Sequence, residues 1–263
     1  MTAHEKLKHA PLVLMVAQVN FSPVEDMETH IPVIQSKLRE LGYPYFDDKH
    51  PLQEIMVTPA GLQVNETKQW FFTDKKKKTC IVLTKNMLTV NTAAYTTFKN
   101  YLSIFTEALD VITQELSLEV YNALEQVSLR YVDHICSIGG KKPEELIKAE
   151  FLGGFNQDET VELRQVLIEK KTDIGGIVRV VLFKPVDIQS ALAEIQTTRL
   201  DFGGLDTNSP RIVLDMSHTK KALSEDFNQK QILNTLNQLH RDVDDLFFEG
   251  IPTNEALELW GGK

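Results

Sequence analysis

Cysteine is scarce in this chain: Cys80 and Cys136 are the only two among 263 residues. Each sits beside apolar neighbours in a strand-like segment, so buried thiols in a reducing compartment are expected rather than a disulfide framework. Long apolar runs are missing too. The longest, Ala10 to Phe21, is interrupted by Gln18 and Asn20 and is too short to span a bilayer. Met1 to His9 carries charges and no apolar stretch, so no signal peptide and no membrane association are expected, and a cytoplasmic location is. Positive charge is in deficit, with 28 Lys and Arg against 37 Asp and Glu for a net charge of −9. Such a surface repels a polyanion except at a local patch, which disfavours nucleic acid as a partner. The patch on offer is Lys75, Lys76, Lys77 and Lys78, a run that reads first as a solubilising turn protecting a sheet edge.

The common chemistry-bearing motifs are also missing. There is no GxxxxGK(S/T), no GxGxxG after a strand, no HExxH, no CxxC pair and no GxSxG. Those spacings cradle phosphate, ligate zinc or expose a nucleophile, so the nucleotide, zinc-protease and hydrolase readings lose support. Five Gly-Gly pairs are scattered along the chain without the helix context of a phosphate cradle and read as turns. No cofactor and no metal is expected.

What is present is a core-forming chain, 42% hydrophobic, long enough to bury a core without disulfides or metal. Leu12 to Phe21 reads as a largely buried strand between Pro11 and Ser22-Pro23. Met27, Ile31, Ile34, Leu38 and Leu41 recur at helical steps up to Gly42, with Pro32 near the first turn. Gln69 to Thr73, Thr79 to Thr84 and Met87 to Asn91 predict antiparallel strands joined by turn-like joints. Thr96 to Ser117 predicts a long helix striped by Phe98, Leu102, Phe105, Leu109, Ile112 and Leu116.

The same order then recurs. Leu124 to Cys136 predicts a strand, with Val127, Leu129 and Tyr131 on one side, and Pro143 to Phe151 a short helix. Leu163 to Lys170 and Ile177 to Phe183 predict a hairpin, and Arg211 to Met216 a third strand. Leu223, Phe227, Leu236, Leu239, Val243 and Phe247 stripe a final long helix. The fold class is therefore α+β with two similar halves, 1–119 and 120–263. Each runs strand, helix, three antiparallel strands, long helix, with the strands in one extended sheet or two apposed sheets covered by the long helices. Residues 185–209 do not fit the repeat and read as an insertion, with Ile188, Leu192 and Ile195 able to stripe a short helix.

Several short motifs, in order, cover nearly the whole chain. They are the Ala10-Pro11-Leu12 strand ending in Asn20-Phe21-Ser22-Pro23, Tyr95 with Phe98, Leu129-Arg130-Tyr131-Val132-Asp133, Leu214-Asp215, and Thr253-Asn254-Glu255-Ala256-Leu257 with Trp260-Gly261. In this the chain resembles a sporadically distributed bacterial family of about this length and uncharacterised function. Members of that family carry an acidic residue early in the first strand and an Arg before its Phe, where this chain has Leu14 and Asn20. The sporadic distribution implies a mobile setting such as a defence or toxin-antitoxin type locus.

Three functions are weighed. The favoured one is non-enzymatic binding of a macromolecule, a protein partner first, by a homo-oligomer. Arg130, Tyr131 and Trp260 are its binding candidates, since a C-terminal Trp suits burial at a subunit or domain interface. The alternative is a metal-assisted hydrolase or nuclease using Asp133, His134, Asp215 and His218 at strand ends, because carboxylates and imidazoles can ligate a divalent ion or move protons. Strand alternation weighs against it, as Asp133 and His134 are adjacent and point to opposite faces. Asp242, Asp244 and Asp245 read as a solvated helix face. A pocket between the halves lined by Trp70, Phe72 and Tyr131 is the third reading, against a simpler role for these aromatics in the core.

Overall fold

A computed structural model describes residues 7–49, 51–58, 61–153, 164–184, 199–203 and 209–261. Its strands are β1 (Leu12–Phe21), β2 (Tyr45–Asp47), β3 (Leu52–Thr58), β4 (Gly61–Thr67), β5 (Trp70–Thr73), β6 (Thr79–Thr84) and β7 (Met87–Thr92), then β8 (Ala123–Cys136), β9 (Arg164–Lys171), β10 (Ile177–Lys184) and β11 (Arg211–Asp226). The helices are α1 (Met27–Glu40), α2 (Phe98–Leu116), α3 (Leu118–Tyr121), α4 (Ala149–Leu152), α5 (Gln229–Asp245) and α6 (Asn254–Leu259). Nine strands form one antiparallel sheet in the order β2-β5-β6-β7-β1-β8-β11-β10-β9, and β3 pairs with β4 apart from it.

The two strands that follow prolines or turns into long apolar runs, β1 and β8, are the middle of the sheet, with Met15 opposite Tyr131 and Val19 opposite Val127. Outward from that seam come β7, β6 and β5 on one side and β11, β10 and β9 on the other. A strand's side chains alternate between faces, and here one alternate set, Met15, Ala17, Val19, Leu129, Tyr131, Leu214 and Met216, meets the apolar stripes of α1, α2 and α5 in a single core. Of the predicted α2 stripe, Phe98, Phe105, Leu109, Ile112 and Leu116 are buried and Leu102 packs half-buried against the same core. Thr97 caps its N-terminus by accepting from the Asn100 N–H, and Asn228 does the same for α5 through Gln231. Among the described residues no helix is long and apolar enough to cross a membrane.

Four stretches of the chain differ from the sequence expectation. Residues 45–67 hold β2, β3 and β4, which no periodicity pointed to. The helix expected over 143–151 is a 3-10 turn at Pro143–Leu146 followed by α4, because Ile147 between them pairs as an isolated bridge with Pro252. The strand expected to stop at Met216 continues to Asp226, since Ser217 to Lys221 pair with Arg130 to Gln126. Consequently Leu223 lies in β11, Phe227 precedes the Asn228 cap, and the final long helix begins at Gln229 rather than before Leu223. Ile188, Leu192 and Ile195 of the inserted segment lie outside the described residues.

Candidate functional site

The paired positions Asp133↔Leu214, His134↔Val213, Asp215↔Val132 and His218↔Leu129 fix which face each candidate occupies. Asp133 and His218 share the helix-covered face with Leu214 and Leu129, whereas His134 and Asp215 lie on the opposite face with Val213 and Val132. The four residues of the metal-assisted reading are thus divided by the sheet itself. Among the described residues no three His, Cys, Asp or Glu side chains stand together as metal ligands.

On the open face, Arg130 embraces Asp215 in a bidentate pair, Nε to Oδ1 at 2.9 Å and Nη2 to Oδ2 at 2.6 Å. The pairing register explains it: Arg130 sits opposite Ser217 and one step along from Val132, so its side chain reaches Asp215 diagonally across β8 and β11. Next along the same face, Arg211 Nη1 donates to His134 Nδ1 at 3.3 Å. Burial and that guanidinium lower the His134 pKa to about 4, so the ring is neutral. Its Nε2 is buried without a hydrogen-bond partner.

On the helix-covered face, Asp133 is 3% exposed, and its Oδ2 has no hydrogen-bond partner. Desolvation, assisted by the Asp215 charge, raises its pKa to about 8, so the carboxyl carries its proton at neutral pH. His218 is wholly buried, with Nδ1 against the Leu239 carbonyl at 3.3 Å, Asp242 Oδ2 at 3.6 Å and Nε2 against the Thr172 hydroxyl at 3.1 Å. Burial lowers its pKa as well.

Tyr131 and Trp260 are core residues, 7% and 3% exposed. The Tyr131 hydroxyl and His240 Nδ1 are 2.9 Å apart, Phe98 stacks on the His240 ring at 3.9 Å, and Tyr95 meets Tyr131 edge-on at 6.2 Å. Burial first, then Arg241, takes the His240 pKa down to about 4, and burial pushes the Tyr131 phenol well up, so the tyrosine donates and the neutral imidazole accepts. Trp260 packs in its own chain rather than at a subunit interface, its ring stacked 6.1 Å from Phe247 and its carbonyl accepting from the His9 N–H. Trp70 and Phe72, for which a core role is the simpler reading than a pocket lining, are buried in the core, at 4% and 0% exposure. A surface cleft of about 260 Å³ beside Trp70 is lined by Glu25, Glu28, Glu66, Lys68 and Lys85.

The four-lysine segment joins β5 to β6, turned by Asp74, whose carboxylate accepts from the Lys78 and Thr79 N–H groups at 2.6 and 2.9 Å. Two of the four are engaged within the chain. Lys77 Nζ lies over the Tyr45 ring, 5.9 Å from its centroid, and Lys78 Nζ donates to the Asp201 carbonyl at 2.5 Å. Asp201 also donates its N–H to the Lys77 carbonyl at 2.7 Å. Leu200, beside it, packs on both apolar patches of the open face, Leu14-Val132-Val213 and Phe71-Cys80-Val82. This docking of 199–203 on the sheet, and the partnerships of Arg211 and His240, were not visible in the sequence. Only the histidine's helical spacing with Leu236 and Val243 hinted at an inward position.

No protein-family model matches this chain, and no curated protein matches it.

Proposed function

We propose that this chain is a non-enzymatic binding protein whose partner, another protein, meets the open face of the sheet beside the Arg130–Asp215 pair. The observation carrying this reading is that the candidate polar groups are divided between the two faces of the sheet, most of them held by partners within the chain. Arg130 holds Asp215, Arg211 holds His134, His218 is bound by the Leu239 carbonyl, and Tyr131 is bound to His240. These groups stabilise the fold from two faces instead of converging on a reacting atom, whereas a catalytic set needs a nucleophile or ligand set within reach of one position. Between the patches under Leu200 and the Arg179–Glu169 pair, the open face presents half-buried Gln18, Ser128, Arg130, Asp215 and Ser217, a polar surface of the kind that rims protein interfaces.

The same reading takes the chain to be two structurally similar halves joined at the β1/β8 seam. The mirrored orders β1-β7-β6-β5 and β8-β11-β10-β9, each followed in sequence by a long helix, support it. Membership of the sporadically distributed bacterial family, and with it a defence or toxin-antitoxin type setting, is supported by where its motifs meet. Arg130 and Asp215 come from two of them and form one ion pair, and Tyr95, Phe98 and Tyr131 gather around His240. A cytoplasmic setting is supported by Cys80 and Cys136, which are not joined in a disulfide.

The test is site-specific photo-crosslinking in the native host. A photoreactive residue at Ser217 on the open face should trap one protein species, and the same probe at Lys99 on α2 should not. Metal-dependent turnover of a phosphodiester or ester that is lost in Asp133→Asn would overturn the reading.

A further inference from the structure

We propose that β9 is a dimerisation edge, at which a second copy of this chain adds its own β9 antiparallel across a two-fold axis through Leu167. The two ends of the sheet differ in character. At one end β2 is three residues long and Lys77 leans over Tyr45, a short, charged finish that discourages strand addition. At the other, β9 is the last strand among the described residues, eight residues long and free of proline, with Val166-Leu167-Ile168 in its middle. Leu167 is 54% exposed and Ile168 36%. Adjacent residues of a strand face opposite sides, so this apolar surface lies on both sides of the sheet. A partner docked on either face covers one of the two, whereas a strand added in the plane flanks both.

The groups on the side of β9 away from β10 follow from the hairpin. Thr172 donates its N–H to the Gly176 carbonyl at 2.9 Å. Alternation along the antiparallel pair then turns the backbone groups of Lys170, Ile168 and Val166 toward β10 and those of Gln165, Leu167 and Glu169 outward. An axis through Leu167 matches those outward groups with their own copies. It sets Leu167 opposite the second copy's Leu167, Val166 opposite Ile168, and Gln165 opposite Glu169. Moving the axis to Ile168 places Val166 opposite Lys170, and moving it to Glu169 opposes two carboxylates, which destabilises a strand pair. The Leu167 register leaves two symmetry-related like-charge pairings, position 164 against Lys170, one at each end. The occupant is a second copy because the strand complements itself in this register. The inference sharpens the expected homo-oligomer and does not depend on the open face binding a partner.

Sedimentation of the full chain and oxidative cross-linking of cysteine variants test it. The wild type should sediment as a dimer and Leu167→Lys as a monomer with an unchanged circular dichroism spectrum, since that side chain is exposed. Residues facing each other in a hydrogen-bonded pair lie about 5.5 Å apart at Cα, within disulfide reach, so Leu167→Cys should give a covalent dimer on oxidation. Lys170→Glu should tighten the dimer about fivefold by replacing two like-charge pairings with unlike ones. A monomeric wild type, a dimer indifferent to Leu167→Lys, or cross-linking through Ile168→Cys in preference to Leu167→Cys would each overturn the proposal.

Discussion

Arg130 and Asp215, one near the middle of β8 and the other in β11, are joined by two parallel hydrogen bonds of 2.9 and 2.6 Å on the sheet face opposite α1, α2 and α5. The pair is half-exposed on the arginine side, so its contribution is moderated by water. Asp215→Asn should lower stability by about 1 kcal/mol. Arg130→Gln combined with Asp215→Asn should cost less than the sum of the two single changes. Urea denaturation of the four proteins measures that coupling, and strict additivity would mean that the two groups do not interact.

Stability should peak near neutral pH. Asp133 has a folded pKa of about 8 against an ordinary 3.8, so between those values the folded chain keeps a proton that the unfolded chain releases. Its effect is a stability that falls as pH rises through that interval. His134 and His240, at about 4 when folded against 6.5, act the other way: the unfolded chain takes up their protons first as pH drops below 6.5. From pH 4 to 6.5 these two imidazoles, joined by His218, whose pKa burial also lowers, outweigh one carboxyl and stability climbs; above 6.5 Asp133 sets the slope and stability declines toward pH 8. Asp133→Asn should flatten that alkaline limb. A wild-type denaturation midpoint constant between pH 6.5 and 8 would contradict this account.

The Tyr131 hydroxyl donates to the buried, neutral His240 ring. Tyr131→Phe leaves Nδ1 of that ring without a donor in the core, at a cost of about 1–3 kcal/mol. Nitrogen chemical shifts of His240 should report a neutral ring protonated at Nε2 at pH 6 in the wild type. A titration midpoint near the ordinary value of histidine would rule that out.

Gly176 lies where a Cβ would stand 2.6 Å from His218 Nε2 and 3.0 Å from the Thr219 carbonyl. The His218 ring is fully buried and cannot swing aside. Gly176→Ala should therefore destabilise by about 2 kcal/mol through overpacking. In Gly175→Ala a Cβ would meet no atom within 4 Å, but the residue holds φ +76°, so that change should cost stability by backbone strain instead. Thermal denaturation of both variants separates the mechanisms when each is combined with His218→Ala, which should relieve the first and not the second.

The amino-acid sequence alone determined the elements with strong periods. The buried run of β1, the five-residue stripe of α2 and the β5-β6-β7 and β9-β10 pairings all follow from local pattern, because a strand or amphipathic helix advertises the face that it buries. It also determined that Asp133 and His134 are on opposite sides of their strand, by alternation alone. Where the pattern carried polar residues in a strand, as in Ser217 to Lys221 of β11, local reading ended the strand too early, since those residues are held by pairing with β8 and not by apolar spacing. Tertiary structure decided the rest. The seam at β1 and β8, the diagonal reach of Arg130 to Asp215, the burial of Trp260 against Phe247 and the docking of Leu200 across two patches join residues up to more than a hundred positions apart. Such contacts depend on strand order and register, which are chosen by the free energy of the whole core and leave no periodic trace in the chain.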